Sequence, residues 1–274
     1  MNFLIWRKPR PDLTFPVHLR IGSLDLPLHL VCEILAYSLG YQYYRYLRRN
    51  TRDLISDADR IWIFIGAAGG AFLFSHLLGV LEQPLPASGL TLPYILGNKT
   101  VAGGFLGGLI GVELIKKAIG VRTSSGDLMT YPLILGLMTG RVGCFLEGLE
   151  DGTYGIPSTL PWAMDLGDGL RRHPTNLYEI AFLLLLWLSL TGLEKRRTLS
   201  NGSRFKLFLS AYLLFRFAIE FIKPAYGYPI GLSAIQLACL AGLIYYYRVF
   251  LFPQHLFVQT SSCPKDPIST TTLR

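Results

Sequence analysis

Several ionisable side chains of this 274-residue chain sit in stretches where charge is costly. Arg141 lies within Leu137-Met138-Thr139-Gly140-Arg141-Val142-Gly143, and Arg216 and Glu220 fall one helical turn apart between Ala211 and Phe221. Ionisable residues kept at membrane depth mark function, because desolvating them is expensive. A guanidinium is a planar fork that donates paired hydrogen bonds, so the pattern points to phosphate recognition, as on a charged lipid headgroup. The structural alternative is that each arginine pairs with a carboxylate and holds two helices together. His29 and Glu33 share the i, i+4 spacing and form a second candidate pair. Two ligands alone make a poor metal site, so none is expected there. Cys144 reads as a small packing residue, since nothing beside it in sequence stabilises a thiolate.

The elements that must position these residues are membrane helices. Hydrophobic residues make up 51% of the chain and charged residues only 16%, against about 25% charged in soluble domains. Crossing the hydrocarbon core takes about 20 apolar residues as a helix. Seven windows qualify, at 28–46, 61–81, 100–120, 128–146, 175–193, 205–223 and 230–251. The expectation is an all-α integral membrane protein of about seven transmembrane helices, a single polytopic domain over 1–252. The Ser-, Thr- and Pro-rich segment 253–274 is expected to be disordered.

The net charge of +8 would suggest nucleic acid in a soluble protein. Here the basic residues cluster in alternate loops, which points to membrane orientation and not to nucleic acid. Arg45, Arg48, Arg49, Arg52 and Arg60 separate the first two windows, and Lys116, Lys117 and Arg122 follow the third. Lys195, Arg196, Arg197, Arg204 and Lys206 separate the fifth and sixth. The intervening loops carry Lys99, then Arg171 and Arg172, then Lys223. The positive-inside rule puts the N-terminus outside, the C-terminus in the cytoplasm and the loop 147–173 outside. Arg7, Lys8, Arg10 and Arg20 run against that assignment. In this topology Arg141, Glu147, Arg216, Glu220, His76, His29 and Glu179 converge on the outer half of the bilayer. The four cysteines, Cys32, Cys144, Cys239 and Cys263, have no paired spacing and suggest neither disulfide framework nor zinc site. Prolines precede the first long apolar run, against a cleaved signal peptide.

Four motifs follow in order. The run from Gly103 to Gly111, GGFLGGLIG, contains small-xxx-small repeats. These serve close helix packing or make a surface flat enough for an acyl chain. GRVGCFLEGLEDGTYG (140–155) runs from a helix into an outer loop. RHPTNLYE (172–179) opens the fifth helix, with Pro174 at its start. RFAIEF (216–221) carries Arg216 and Glu220 on one face.

In order and spacing these motifs resemble the prolipoprotein diacylglyceryl transferase family over about residues 100–236. Family members look like HGGLIG, GRxGNFxNGE, RHPxQLYE and RFxxEFxR, followed by a Gln. The corresponding segments are LGGLIG (106–111), GRVGCFLEGL (140–149), RHPTNLYE, RFAIEFIK (216–223) and Gln236. The resemblance implies a seven-helix bacterial inner-membrane enzyme without a cofactor. Its partners would be phosphatidylglycerol and a precursor protein bearing a lipobox cysteine. The cysteine attacks the glyceryl carbon and glycerol phosphate departs. It implies lipid-phosphate binding at Arg141, Arg216, Gly143 and Gly152, with Glu220 orienting Arg216. The departures are as informative. The family's histidine before GGLIG is Leu106, its two asparagines are Cys144 and Glu147, and its NGE acid falls on Leu149. With Leu106 unable to take a proton, His76 and His173 are the expected substitute bases. The alternative is a catalytically altered paralogue that binds or moves an anionic phospholipid or uses another acceptor.

Overall fold

Each apolar window folds as helix in a computed structural model of the chain, which describes residues 15–22, 24–51, 53–83, 89–224, 228 and 231–258. Arg7, Lys8, Arg10, Arg52 and Cys263, with the segment 259–274, lie outside the described residues. A hairpin of β1 (His18–Ile21) and β2 (Leu24–Pro27) leads into α1 (Leu28–Asn50) and α2 (Asp57–Leu81). Then come α3 (Leu92–Gly97), α4 (Val101–Ile119) and α5 (Asp127–Glu147). A pair within the 147–173 loop, β3 (Met164–Asp165) and β4 (Arg171–Arg172), precedes α6 (Thr175–Arg196), α7 (Ser203–Ile219), α8 (Ala234–Tyr245) and α9 (Tyr247–Leu251). The described residues are 68% helical. Three helices, α2, α5 and α6, are long and apolar enough to cross a membrane by length and composition. Pro253–Leu256 forms a 3-10 turn and Leu256 is buried, so order extends past the composition-based boundary at 252.

Local chemistry sets the helix limits. Ser56 accepts from Asp59 N at the start of α2, and Thr100 from Gly103 N at the start of α4. Ser233 and Gln236 form a reciprocal capping box on α8, satisfying donors that a helix start leaves free. Asp127 of α5 caps a different helix, accepting from Gly202 N and Phe205 N of α7 at 2.6 and 3.0 Å. Gly120 ends α4 at φ 75°, in the left-handed region that glycine occupies without strain.

The long helices run alternately up and down. The N-terminal ends of α2, α5 and α7 meet the C-terminal ends of α1, α4 and α6 at one pole, where the basic residues gather. Asp53 is clamped there by Arg60, with Nε and Nη2 each at 2.8 Å, and by Arg48 Nε at 2.9 Å. Arg60 Nη1 also donates to Ser125 O at 3.0 Å. At the opposite pole Val17 N donates to Leu146 O, and Glu82 accepts from Ile235 N. The core packs Tyr131, Ile134, Leu183, Phe208, Tyr212 and Leu213 between α5, α6 and α7. Large apolar side chains elsewhere point outward, among them Trp62, Phe72, Leu73, Leu185 and Leu188. Only 11% of the most apolar stretch of α2 is buried, the pattern of a helix that faces lipid and not a protein core.

Two helix pairs touch backbone to backbone. A Cβ on Gly70 would lie 2.2 Å from Gly107 O, and one on Gly111 would lie 2.0 Å from Gly66 O, so α2 and α4 meet through glycine. This is the packing role expected of the glycine run. Its other face, at Gly104 and Gly108, lines a cavity of about 720 Å³, together with Phe64, Phe105, Leu109, Lys116 and Arg122. That cavity lies toward the basic pole, away from Arg141. On the second pair, a Cβ on Gly143 of α5 would meet Cys32 Cβ at 2.8 Å and His29 O at 3.2 Å. The close approach brings the start of α1 against the end of α5.

Candidate active site

The carboxylate that holds Arg141 comes from α6. Arg141 Nε lies 2.9 Å from Glu179 Oε2, and Tyr212 of α7 donates to Glu179 Oε1 at 2.8 Å. Arg216 Nη2 lies 3.0 Å from Glu220 Oε2, where α7 tightens into a 3-10 turn over Glu220–Ile222. All five residues are buried, as are Lys223 and Gln236 beside them. Two guanidiniums and the Lys223 amine thus lie with the carboxyls of Glu179 and Glu220 in one polar knot among α5, α6, α7 and α8. Gln236 Nε2 reaches Phe217 O at 3.4 Å while its Oε1 accepts from Ser233 N.

Buried pairs of this kind cost more in desolvation than a hydrophobic packing would, so stability alone does not account for them. Neither arginine exhausts its donors on its carboxylate. Arg141 Nη1 approaches only Cys144 Sγ, at 3.7 Å, and Arg216 Nε is buried with no hydrogen-bond partner. Such donors suit a phosphate.

The other nominated residues lie in distinct surroundings. His76 Nδ1 lies 3.0 Å from both Ile95 O and Asn98 O, tying α2 to the α3–α4 connection. That fixes hydrogen on Nδ1 and leaves Nε2 as an acceptor. His173 Nδ1 lies 3.1 Å from Tyr178 Oη, which accepts from Trp162 Nε1. Its backbone is held to Gly155 and Ile156, and Ile156 N reaches Ile222 O near the end of α7. Gly152 turns the loop after α5 at φ 68°. Leu106 packs in the core, its Cδ2 over the bare Cα of Gly242.

One expected pair does not form. Glu33 reaches Lys99 Nζ at 3.4 Å, while His29 turns to α5. His29 Nδ1 lies 3.8 Å from both Glu147 Oε2 and Asp151 Oδ1. Helical spacing put His29 and Glu33 on one face, but Gly143 makes α5 the nearer neighbour. Glu179 was placed in the converging group without a role, and Tyr212 was not nominated at all. Glu179 was visible as the last residue of RHPTNLYE, whereas Tyr212 is one tyrosine in an apolar run and carries no sequence signal. In the outer loop Arg172 Nε donates to Asp168 at 2.9 Å and its guanidinium lies over the Tyr154 ring.

The fold and the buried arginine–carboxylate knot describe a helical membrane protein with paired charge buried between its helices. Residues 16–252 match the family model described as prolipoprotein diacylglyceryl transferase, and the chain belongs to that family. It is 34% identical over 244 residues to the phosphatidylglycerol–prolipoprotein diacylglyceryl transferase of Bordetella bronchiseptica, covering 81% of this chain and 87% of the relative. The proteins of the same name from Methylococcus capsulatus and Geobacter sulfurreducens are 31% and 30% identical. They cover 72% and 88% of this chain, and 71% and 91% of their own lengths.

Proposed function

We propose that this chain transfers the diacylglyceryl group of phosphatidylglycerol to the lipobox cysteine of a prolipoprotein, at the outer face of a bacterial inner membrane crossed seven times. The observation that carries the reading is the buried pair Arg141 and Arg216, neither of which spends all its donors on its carboxylate. In the reaction the acceptor sulfur forms a bond to the glyceryl carbon while the carbon–oxygen bond to phosphate breaks. The electron pair leaves on glycerol phosphate. Guanidiniums fixed beforehand in a dry site stabilise that growing charge.

The acceptor thiol must lose its proton. His173 and His76 remain proposed bases, each with one ring nitrogen occupied and one free. We place the thiol itself closer to Arg141, beside His29, Glu147 and Asp151. Family membership and the Arg141–Cys144 contact support this placement. The test is mass gain on a lipobox peptide in vesicles containing phosphatidylglycerol. Transfer is expected from the wild type, lost in His29→Ala and in one of His76→Ala or His173→Ala, and unchanged or raised in Leu106→His. Wild-type protein that binds the lipid yet yields no adduct would establish the lipid-binding reading in its place.

A further inference from the structure

We propose that His29, Cys144 and Asp151 form a binding site for a divalent cation of the zinc class, whose open fourth position takes the acceptor thiol. His29 Nδ1, Cys144 Sγ and a carboxylate oxygen of Asp151 all lie within 4.8 Å of one another. Metal–ligand bonds of about 2.0–2.3 Å place tetrahedral ligand atoms roughly 3.3–3.8 Å apart. The His29–Asp151 edge, at 3.8 Å, is within about half an ångström of the length a nitrogen–oxygen pair needs. The other edges close by side-chain rotation of an ångström or so.

The spacing argues against a plain ion pair. At 3.8 Å from both carboxylates the imidazole is hydrogen-bonded to neither. Cys144 is hydrogen-bonded to Asp151, while His29 stands off from both carboxylates across a gap. Glu147 Oε2 is buried on that gap with no hydrogen-bond partner, although a buried carboxylate oxygen normally finds one. One nitrogen, one sulfur and one oxygen suit a borderline-soft ion. Magnesium and calcium, which take six or more oxygen ligands, do not fit. Three protein ligands with a vacant position is the arrangement of catalytic, not structural, zinc.

The surroundings hold the ligands in place. Asp151 is 8% exposed and Thr153 Oγ1 bonds its second oxygen, the same hydroxyl lying 2.8 Å from Asn176 Oδ1. Bonds of this kind fix a carboxylate ligand's direction. His29 is 28% exposed, which leaves a path for a thiol. Cys144 and Glu147 are two of the positions at which this chain departs from the family pattern. A ligand thiol gives up its proton on binding the ion.

The ion's role rests on the transferase reading. The incoming thiol would bind as thiolate, its proton passing by way of Glu147 Oε2 to the histidine base of the proposed function. The sulfur lone pair then attacks the glyceryl carbon, the carbon–oxygen bond breaks, and glycerol phosphate leaves toward Arg141 and Arg216. The thioether product is a weak ligand and departs.

The experiment measures metal content of the purified full-length chain in detergent after equilibration with zinc and removal of free ion. About one equivalent is expected for the wild type and for Glu33→Gln, with affinity at least 10–100-fold weaker in Cys144→Ser, His29→Gln and Asp151→Asn. Cobalt loading should give a thiolate charge-transfer band that Cys144→Ser lacks. Thermal unfolding verifies that the variants fold. No bound metal in the wild type, or equal binding by folded variants, overturns the site. For the role, zinc-stripped protein should lose at least tenfold in transfer to the lipobox peptide and regain it with zinc. Stripped protein that transfers normally overturns thiol activation and leaves the transferase reading standing. If loaded protein binds zinc at these residues but never transfers, the site holds and the transferase reading fails.

Discussion

Tyr212 donates to Glu179, and Glu179 faces Arg141, so the aim of the arginine depends on a phenol with no sequence signal of its own. Tyr212→Phe strands Glu179 Oε1 in the core. The expected cost is about 1–3 kcal/mol of stability, read as a lower unfolding temperature in detergent. Arg141→Lys keeps the charge and loses the fork. We expect about 2–4 kcal/mol less transition-state stabilisation, roughly a thirty- to thousandfold fall in kcat/KM, with protein levels held. Full turnover in that variant would make Arg141 a scaffold residue. The two arginines were legible because charge in an apolar run is conspicuous. The His29 group was not, because its members lie more than a hundred positions apart and only helix packing unites them.

At the scale of elements, the glycines of α2 divide into two sets. Gly→Ala in a helix ordinarily gains about 1 kcal/mol. At Gly69, where a Cβ would meet nothing within 4 Å, that gain should appear. At Gly70 the new methyl would meet Gly107 O at 2.2 Å, and a loss of about 1–3 kcal/mol is expected. Comparing the two unfolding temperatures decides it; a rise in both would mean that α2 and α4 do not touch as described. The Asp53 clamp between α1 and α2 makes a pH prediction. Burial works to raise this carboxyl, but the Arg60 hydrogen bonds, the Ile55 N–H and Arg48 outweigh it and hold its pKa below the usual carboxylate range. A depressed folded-state value means stability present above the unfolded pKa of about 3.9 and lost as pH falls through the folded value. Asp53→Asn should therefore cost about 3–5 kcal/mol at neutral pH. It should remove the clamp's share of acid sensitivity below about pH 4. Helix positions were legible from hydropathy alone, although the window 230–251 falls on two helices, α8 and α9, that break at Tyr246. This clamp was not, because its basic residues read only as an orientation signal.

Across the whole molecule, the basic pole and the arginine knot occupy opposite ends of the bundle. We expect the knot to lie on the outer side. Single-cysteine variants Thr159→Cys and Thr198→Cys, in a background without the native cysteines, test it with a membrane-impermeant thiol reagent. Thr159→Cys should label in intact cells and Thr198→Cys only after permeabilisation; the reverse would invert the molecule. Periodicity and charge carried this level of the reading. The pairings between helices depended on glycine contacts that hydropathy does not encode.

Those contacts also decide where a lipid can pass. Along α2 and α4, backbone meets backbone at Gly66, Gly70, Gly107 and Gly111, and along α1 and α5 at Gly40, Gly136 and Gly143. An acyl chain is several ångströms thick and finds no width in either seam. A phospholipid moving sideways in its leaflet meets those two seams as walls. Its doorway to Arg141 and Arg216 must open between other helices, so the bundle's glycines act on substrate traffic by choosing which flanks stay shut.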